Sequence, residues 1–261
     1  MNLSWKPSLA IKTSIAAHIG ALLALSAGVS WHCVLGAVVA NHAALIAAGL
    51  WPRSTLLGEN MLRLPVQKNQ VNHVVITIDD GPNPAVTPFV LDILDTFNAK
   101  ASFFCIGTAV EANPQLAREI IARGHSIENH SYRHQHHFSF LGIHGLEHEL
   151  SAAQKTIFQT TGYMPKYFRA PAGLRSPLLD PVLQNLNLKL VSWTRRGFDT
   201  ATRDPAVVLR RLVSNLSAGD ILLLHDNHCA ITLQNQPVIL EVLPKLLTIL
   251  HNLNLRPVSL Q

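Results

Sequence analysis

The distribution of polar and apolar positions divides the chain into two parts of different character. Residues 13–52 contain no Asp, Glu, Lys or Arg, and a membrane-spanning helix needs about 20 mainly apolar residues. Small and polar residues at 26–30 interrupt this run, so two spans near 13–29 and 33–51 fit it better than one span. We therefore predict that residues 1–52 form an apolar helical hairpin that anchors the chain in a membrane.

Two other interpretations of the apolar segment stay open. A secretory signal peptide would use Lys6 and Lys12 as its basic region and residues 15–25 as its apolar core. Alternatively, two apolar helices would pack on a soluble core. The apolar character continues to Leu50, which the start of a mature secreted protein would not require, so the hairpin is preferred.

Basic residues flank the apolar run on both sides. They are Lys6, Lys12, Arg53, Arg63 and Lys68. Because positive flanks favour the cytoplasmic side, a two-span hairpin satisfies both flanks, whereas a single span violates one of them. We therefore expect a bacterial-type inner-membrane protein whose remaining chain faces the cytoplasm, with residues 53–71 as a linker.

After residue 72, short apolar segments alternate with helical patterns. The predicted strands are 73–78, 101–105, 126–128, 167–169, 189–193, 221–224 and 256–259. The predicted helix starts, each a capping side chain before a proline, are Thr87-Pro88, Asn113-Pro114, Ser176-Pro177 and Asp204-Pro205. Gly124 and Gly219 are predicted to end two of these helices.

This alternation predicts an α/β domain at residues 72–261 with a parallel sheet and βα crossovers. We expect a distorted (β/α) barrel of about seven parallel strands, somewhat smaller than the eight-fold barrel. An open doubly wound sheet is the alternative, but the chain has no glycine-rich phosphate loop to support it.

Composition narrows the choice of partners. The net charge is +5, but no block of five Lys or Arg residues occurs and aromatic residues make up only 6%, so a nucleic-acid partner is not expected. Three cysteines without a Cys-x-x-Cys pair indicate neither a disulfide framework nor a thiolate zinc site. Histidine is unusual, because seven of the 14 fall between His125 and His148.

In βα folds, catalytic groups gather at the carboxyl ends of the strands. Reading only those ends collects Asp79 with Asp80, His130 with His134, Arg169, the stretch from Trp193 to Asp199, and His225. Each has a simpler explanation as a polar turn, a solvated loop or a structural histidine. Five such signals in order, each at a strand end, together indicate a catalytic site.

A metal site is the first hypothesis for part of this set. His130 and His134 are four residues apart and share a face on a helical turn, and imidazole suits zinc or a similar divalent ion. One carboxylate from the Asp79-Asp80 pair would complete a set of two histidines and one aspartate. Such a set leaves coordination positions for water and substrate.

These segments resemble the five motifs of the polysaccharide deacetylase family, carbohydrate esterase family 4, over about residues 72–261. The matching stretches are Thr77-Ile78-Asp79-Asp80-Gly81-Pro82, His130-Ser131-x-x-His134, Arg169-Ala170-Pro171-Ala172-Gly173 and Leu223-Leu224-His225. The fourth motif is imperfect, since Thr200 replaces the tryptophan expected after Asp199. Ala172 likewise stands where a tyrosine is common. Both changes remove aromatic walls of the usual polymer groove.

The resemblance implies a metal-dependent hydrolase that removes an N-acetyl group from an amino sugar. In that family the metal ligands would be Asp80, His130 and His134, with zinc expected first and cobalt, manganese or nickel as alternatives. Asp79 would act as general base and be held by Arg169. His225 would act as general acid and be held by Asp199. The Ala172 backbone N–H would stabilise the oxyanion, and Trp193 and Leu223 would contact substrate.

Alternatives within and outside enzymes remain. The same residues would also suit removal of an O-acetyl group, or of an N-formyl group from a lipid-linked sugar. A membrane-tethered glycan-binding protein with a vestigial site would not require the acid, the base and three metal ligands together. The tether and the missing aromatic residues at 172 and 200 favour a glycan that is short or lipid-linked over a long polymer.

Overall fold

Two apolar helices precede the mixed α/β part of the chain. The computed structural model describes residues 5–65 and 72–260, so Lys68 and the end of the predicted linker lie outside the described residues. Helix α1 spans Leu9–Ser26 and helix α2 spans Trp31–Leu50, joined by a short turn. The predicted hairpin of two helices is confirmed as secondary structure.

The two helices pack against each other as an antiparallel pair. Asn41 donates a hydrogen bond to the Ser14 hydroxyl at 2.9 Å, and the His18 and His42 rings meet edge to face at 5.1 Å. Both helices have the length and hydropathy of membrane spans, and only 11% and 17% of their apolar windows are buried. Most of the surface of both helices is therefore exposed rather than packed on the α/β part.

The rest of the chain builds one parallel sheet. Its strands are β1 (His73–Asp79), β2 (Ala101–Cys105), β3 (Ser126–Asn129), β4 (Tyr167–Phe168), β5 (Lys189–Leu190), β6 (Arg195–Arg196), β7 (Ile221–His225) and β8 (Arg256–Pro257). Seven of them follow the order β5-β4-β3-β2-β1-β7-β6, and β8 pairs with the start of β1. The sheet curves into a half-barrel, which confirms the predicted fold class.

Helices cover the outer face of this sheet. They are α3 (Thr87–Thr96), α4 (Gly107–Ala112), α5 (Pro114–Ala122), α6 (Ile143–Thr161), α7 (Leu179–Asn185), α8 (Pro205–Val213) and α9 (Val238–Asn252). Short 3₁₀ turns occupy Phe138–Phe140 and Pro171–Gly173.

Two of the four predicted helix starts are confirmed and two are shifted. Asn113 directly precedes α5, although its side chain makes no capping hydrogen bond. Asp204 does cap α8 by accepting from the Ala206 N–H at 2.8 Å. Thr87, by contrast, is the first residue of α3 and points its hydroxyl into the protein interior. Helix α7 begins at Leu179, three residues after Ser176. A capping residue followed by a proline therefore predicts that a helix begins nearby. The first helical residue also depends on tertiary contacts.

Alternation along β1 separates two apolar cores. Val74, Ile76 and Ile78 belong to the large core between the sheet and its helices. Val75 faces the barrel interior, together with an inner cluster that includes Trp193 and Leu223. The period of two places Thr77 and Asp79 on this same inner face. The last residue of β1 is therefore aimed into the barrel.

The half-barrel is open between β5 and β6, and residues 61–64 cross this opening. Met61 pairs with Val191 just after β5, and Arg63 pairs with Asp220 just before β7. Met61 and Leu64 pack against the inner apolar cluster. The chain that leaves the hairpin is thus part of the barrel wall.

Candidate active site and metal centre

Asp79 meets a buried arginine at the centre of the barrel. Its side chain is only 4% exposed, and its Oδ1 lies 2.6 Å from Nη1 of Arg169, which is 1% exposed. Burial lowers the pKa of the Arg169 guanidinium, and the Asp79 charge opposes that effect. The pair places one carboxylate in a fixed orientation inside the barrel.

Arg169 also contacts β1, β2 and the residues that follow β5. Its guanidinium donates to the Thr77 hydroxyl at 2.7 Å and to the carbonyls of Val191 and Ser192 at 3.3 and 3.1 Å. It lies 4.1 Å above the Phe104 ring centroid. A planar cation with several N–H groups suits this combination of contacts.

Asp80 turns away from Asp79 and meets two histidines. Its backbone adopts a left-handed conformation with φ 77°, which redirects its side chain after the strand ends. Its Oδ1 lies 3.2 Å from Nε2 of His130 and 3.4 Å from Nε2 of His134. Ligand atoms bound tetrahedrally to zinc at about 2.0–2.1 Å lie about 3.4 Å apart, so the two distances from Asp80 match such a site, and all three ligand atoms lie within 4.8 Å of one another.

The protonation of this group also suits a cation. Nδ1 of His130 lies 2.8 Å from the Arg169 carbonyl, which can only accept, so Nδ1 donates its hydrogen there and Nε2 is the ring atom that faces Asp80. Burial, followed by the charge of His130, lowers the pKa of His134 to about 4. Burial alone would raise the pKa of Asp80, but its histidine neighbours hold that pKa well below its ordinary value.

His225 ends β7 and pairs with Asp199. Its Nδ1 lies 2.9 Å from Asp199 Oδ1, and its backbone N–H donates to Asp199 Oδ2 at 2.7 Å. Burial alone would lower the pKa of His225, but the hydrogen bond and the charge of Asp199, helped by Asp79 and Asp80, raise that pKa to about 9. The imidazole is therefore a cation at neutral pH.

The three other residues named from the sequence are Ala172, Trp193 and Leu223. Ala172 has φ 54°, and within the described part of the chain its backbone N–H donates no hydrogen bond. Trp193 and Leu223 belong to the inner apolar cluster and are 7% and 1% exposed. Their contact with a substrate stays a prediction.

Two further residues surround the site without having been singled out in the sequence. Nδ1 of His228 lies 3.3 Å from Asp80 Oδ2, the oxygen that His130 and His134 do not use. Asp226 is fully buried and accepts a hydrogen bond from Thr87. Burial raises the pKa of Asp226 to about 7. The only signal in the sequence was position, since Asp226 and His228 closely follow His225 at a strand end.

The comparisons with known proteins agree with this geometry. A family model described as polysaccharide deacetylase matches residues 67–191. The chitooligosaccharide deacetylase of Azorhizobium caulinodans is 34% identical over 162 residues, which are 62% of this chain and 76% of that relative. The chain belongs to the polysaccharide deacetylase family.

Other members of the polysaccharide deacetylase family match over different shares of their length. The peptidoglycan-N-acetylglucosamine deacetylase of Listeria monocytogenes is 32% identical over 164 residues, 62% of this chain. The chain spans about a third (34%) of that relative. The solved structure of a family 4 carbohydrate esterase from Streptomyces lividans, in complex with acetate, superposes with a TM-score of 0.66 at 28% identity. That alignment covers 73% of this chain and 93% of the other.

Asp80, His130 and His134 thus form a group that could bind a metal ion, because their ligand atoms lie within 4.8 Å of one another. Among the described residues, His136 and His137 lie outside this group. They follow the motif in sequence, but a catalytic site already has enough protein ligands with three.

We expect Asp80→Asn to lose bound metal, because the amide removes the charge that Oδ1 offers between the two histidines. The double variant His136→Gln/His137→Gln should retain the wild-type stoichiometry. Elemental analysis of purified protein after loading with zinc measures both. Metal loss in the double variant would show that His136 or His137 binds the metal. A wild-type zinc content in Asp80→Asn would show that Asp80 does not.

Proposed function

We propose that this protein is a membrane-anchored, metal-dependent hydrolase that removes the N-acetyl group from an amino sugar of a glycan. One observation carries the proposal: the Asp80, His130 and His134 group lies beside the buried Asp79 carboxylate and beside His225, which pairs with Asp79 across β1 and β7 and has a raised pKa. The named relatives, deacetylases of peptidoglycan and of chitooligosaccharides, support a glycan substrate.

The metal would be held by Asp80, His130 and His134, with zinc as the first candidate. When bound, a divalent ion there would supply a Lewis acid for water and for the acetamide carbonyl. Nε2 of each histidine and Oδ1 of Asp80 would provide the donors. His228 would fix the second oxygen of Asp80 by a hydrogen bond.

Asp79 would act as the general base. Its Oδ1 is occupied by Arg169, and its Oδ2 lies 3.9 Å from Nε2 of His130, so the second oxygen faces the metal group. That oxygen would accept the proton of the attacking water. The unpaired N–H of Ala172 would donate to the carbonyl oxygen as negative charge develops on it.

His225 would act as the general acid. An amine leaves poorly as an anion, so the nitrogen of the scissile bond needs a proton as the bond breaks. His225 is positively charged at neutral pH, and Asp199 fixes its orientation through Nδ1. The products would be acetate and a free amino sugar.

The hairpin would place this chemistry at a membrane surface. Trp5 and Ser8 at its start contact Asp180 and Leu56 of the following chain, so both open ends of the hairpin lie beside the catalytic part. Trp51 and Trp31 mark opposite ends of α2 and are well exposed, as tryptophans at the two membrane interfaces are. A lipid-linked glycan is therefore the proposed substrate, reached at high effective concentration.

The activity is tested by release of acetate from N-acetylglucosamine oligomers and from extracted membrane glycolipids. We expect release that a chelator stops and added zinc restores. Asp79→Asn should keep its metal and lower turnover by about 10²–10⁴-fold, the usual contribution of a positioned base. Release of formate instead of acetate would show that the enzyme removes an N-formyl group. Undiminished turnover by Asp79→Asn would show that Asp79 is not the general base.

The pH profile tests the acid. His225 must be protonated, and its folded pKa is raised, so activity should persist as pH rises and fall only near pH 9. Asp199→Asn removes the largest cause of that rise, and the alkaline limb should move down towards 6.5, the ordinary pKa. The profile of kcat/KM measures this shift. The control is Asp92→Asn, which replaces an exposed aspartate paired with Arg123. An alkaline limb that does not move in Asp199→Asn would show that His225 is not the general acid.

Membrane topology is tested with reporters fused after Gln261. A two-span hairpin keeps both basic flanks on the cytoplasmic side, so a fluorescent-protein fusion should be bright and an alkaline phosphatase fusion inactive. The opposite pattern would place the catalytic part outside the cytoplasm and favour a cell-wall glycan as substrate.

A further inference from the structure

The chain that leaves the hairpin touches the loop that carries Ala172. We name residues 49–54 the exit segment and residues 171–175 the Ala172 loop. The backbone N–H of Arg175 donates to the Gly49 carbonyl at 3.2 Å, and its guanidinium donates to the carbonyl of Ser54. Arg175 is only 5% exposed, so these contacts are interior contacts of the protein.

Close approach of backbone requires glycine at two positions of this contact. A Cβ on Gly49 would lie 2.2 Å from the Arg175 carbonyl oxygen. A Cβ on Gly173 would lie 2.6 Å from Cβ of Pro52 and 2.7 Å from the Trp193 ring. The exit segment therefore packs directly on the residue that follows Ala172.

The Ala172 loop has a backbone conformation that needs such support. Ala172 and Gly173 are both left-handed, with φ 54° and 75°. A non-glycine residue in this region costs free energy and persists only where its surroundings fix it. The exit segment is one of the surfaces that fix it, because Pro52 packs against Gly173.

A second series of contacts runs from the exit segment to the proposed base. The Ser192 hydroxyl donates to the Pro52 carbonyl at 2.7 Å. The Ser192 carbonyl accepts from Arg169 Nη2 at 3.1 Å, and Arg169 Nη1 donates to Asp79 at 2.6 Å. One side of the exit segment thus borders the oxyanion donor, and the other borders the arginine that holds the base.

We propose that the exit segment is a positioning element of the active site, so that the membrane anchor sets the geometry of catalysis as well as its location. The inference rests on the proposed function, because deacetylation is its readout. Displacing the exit segment would lower kcat through the Ala172 N–H and Asp79. The metal group, which is built from β1 and the His130–His134 turn, would be left intact.

Two glycines of the same helix provide a matched test. Gly49→Ala forces a clash with the Arg175 carbonyl, whereas a Cβ on Gly36 of the same helix has nothing within 4 Å. With a soluble N-acetylglucosamine oligomer as substrate, Gly49→Ala should lower kcat per bound zinc by about 10–100-fold, somewhat less than loss of an oxyanion donor. KM and zinc content should stay near the wild-type values. Gly36→Ala should match wild type in all three.

A milder variant covers the case in which Gly49→Ala does not fold. Ser192→Ala removes only the hydroxyl that reaches Pro52 and keeps the carbonyl that holds Arg169, so kcat should fall by about 2–10-fold, as for one hydrogen bond. A kcat per zinc within twofold of Gly36→Ala in the folded variants would overturn the inference. If wild type and Gly36→Ala release no acetate, the proposed function fails instead.

Discussion

A buried ion pair between Arg169 and Asp79 fixes the centre of this protein. Removing one partner of a buried pair costs about 3–5 kcal/mol, because the other charge is left without compensation. The guanidinium follows β4, reaches Asp79 at the end of β1 and holds the carbonyls that follow β5. The contacts that close the barrel therefore also orient this carboxylate, so the proposed base cannot rotate freely in the folded state.

The ion pair also explains how two adjacent carboxylates acquire different surroundings. Asp79 is held by an arginine, while the left-handed turn at Asp80 presents its side chain to histidines. Neighbouring acids in unlike environments can perform different tasks in one site. The third carboxylate, Asp226, lies beside Gly81 and accepts a hydrogen bond from Thr87 at Oδ2, and burial outweighs that bond and raises its pKa to about 7.

Sequence reasoning recovered what depends on local pattern. Apolar segments located the strands, and reading their carboxyl ends collected residues that the structure brings together around Asp79. It did not find β6, because Arg195–Arg196 forms only two pairs with β7 and has no apolar pattern. Gly219 was predicted to end α8, but that helix ends at Val213 and Gly219 turns the chain before β7. His228 was missed since its approach to Asp80 depends on a loop conformation with φ 57°.

The crossing of the barrel opening by residues 61–64 has a consequence for how the protein can be divided. Met61 donates to the Leu190 carbonyl and accepts from the Ser192 N–H, and Leu64 donates to the Gly219 carbonyl. Without this segment, β5 would be an unprotected edge strand, ready to pair with another chain. A fragment cut at residue 72 would be prone to self-association, so the smallest well-behaved unit of the α/β part has to begin ahead of Met61, close to the end of α2.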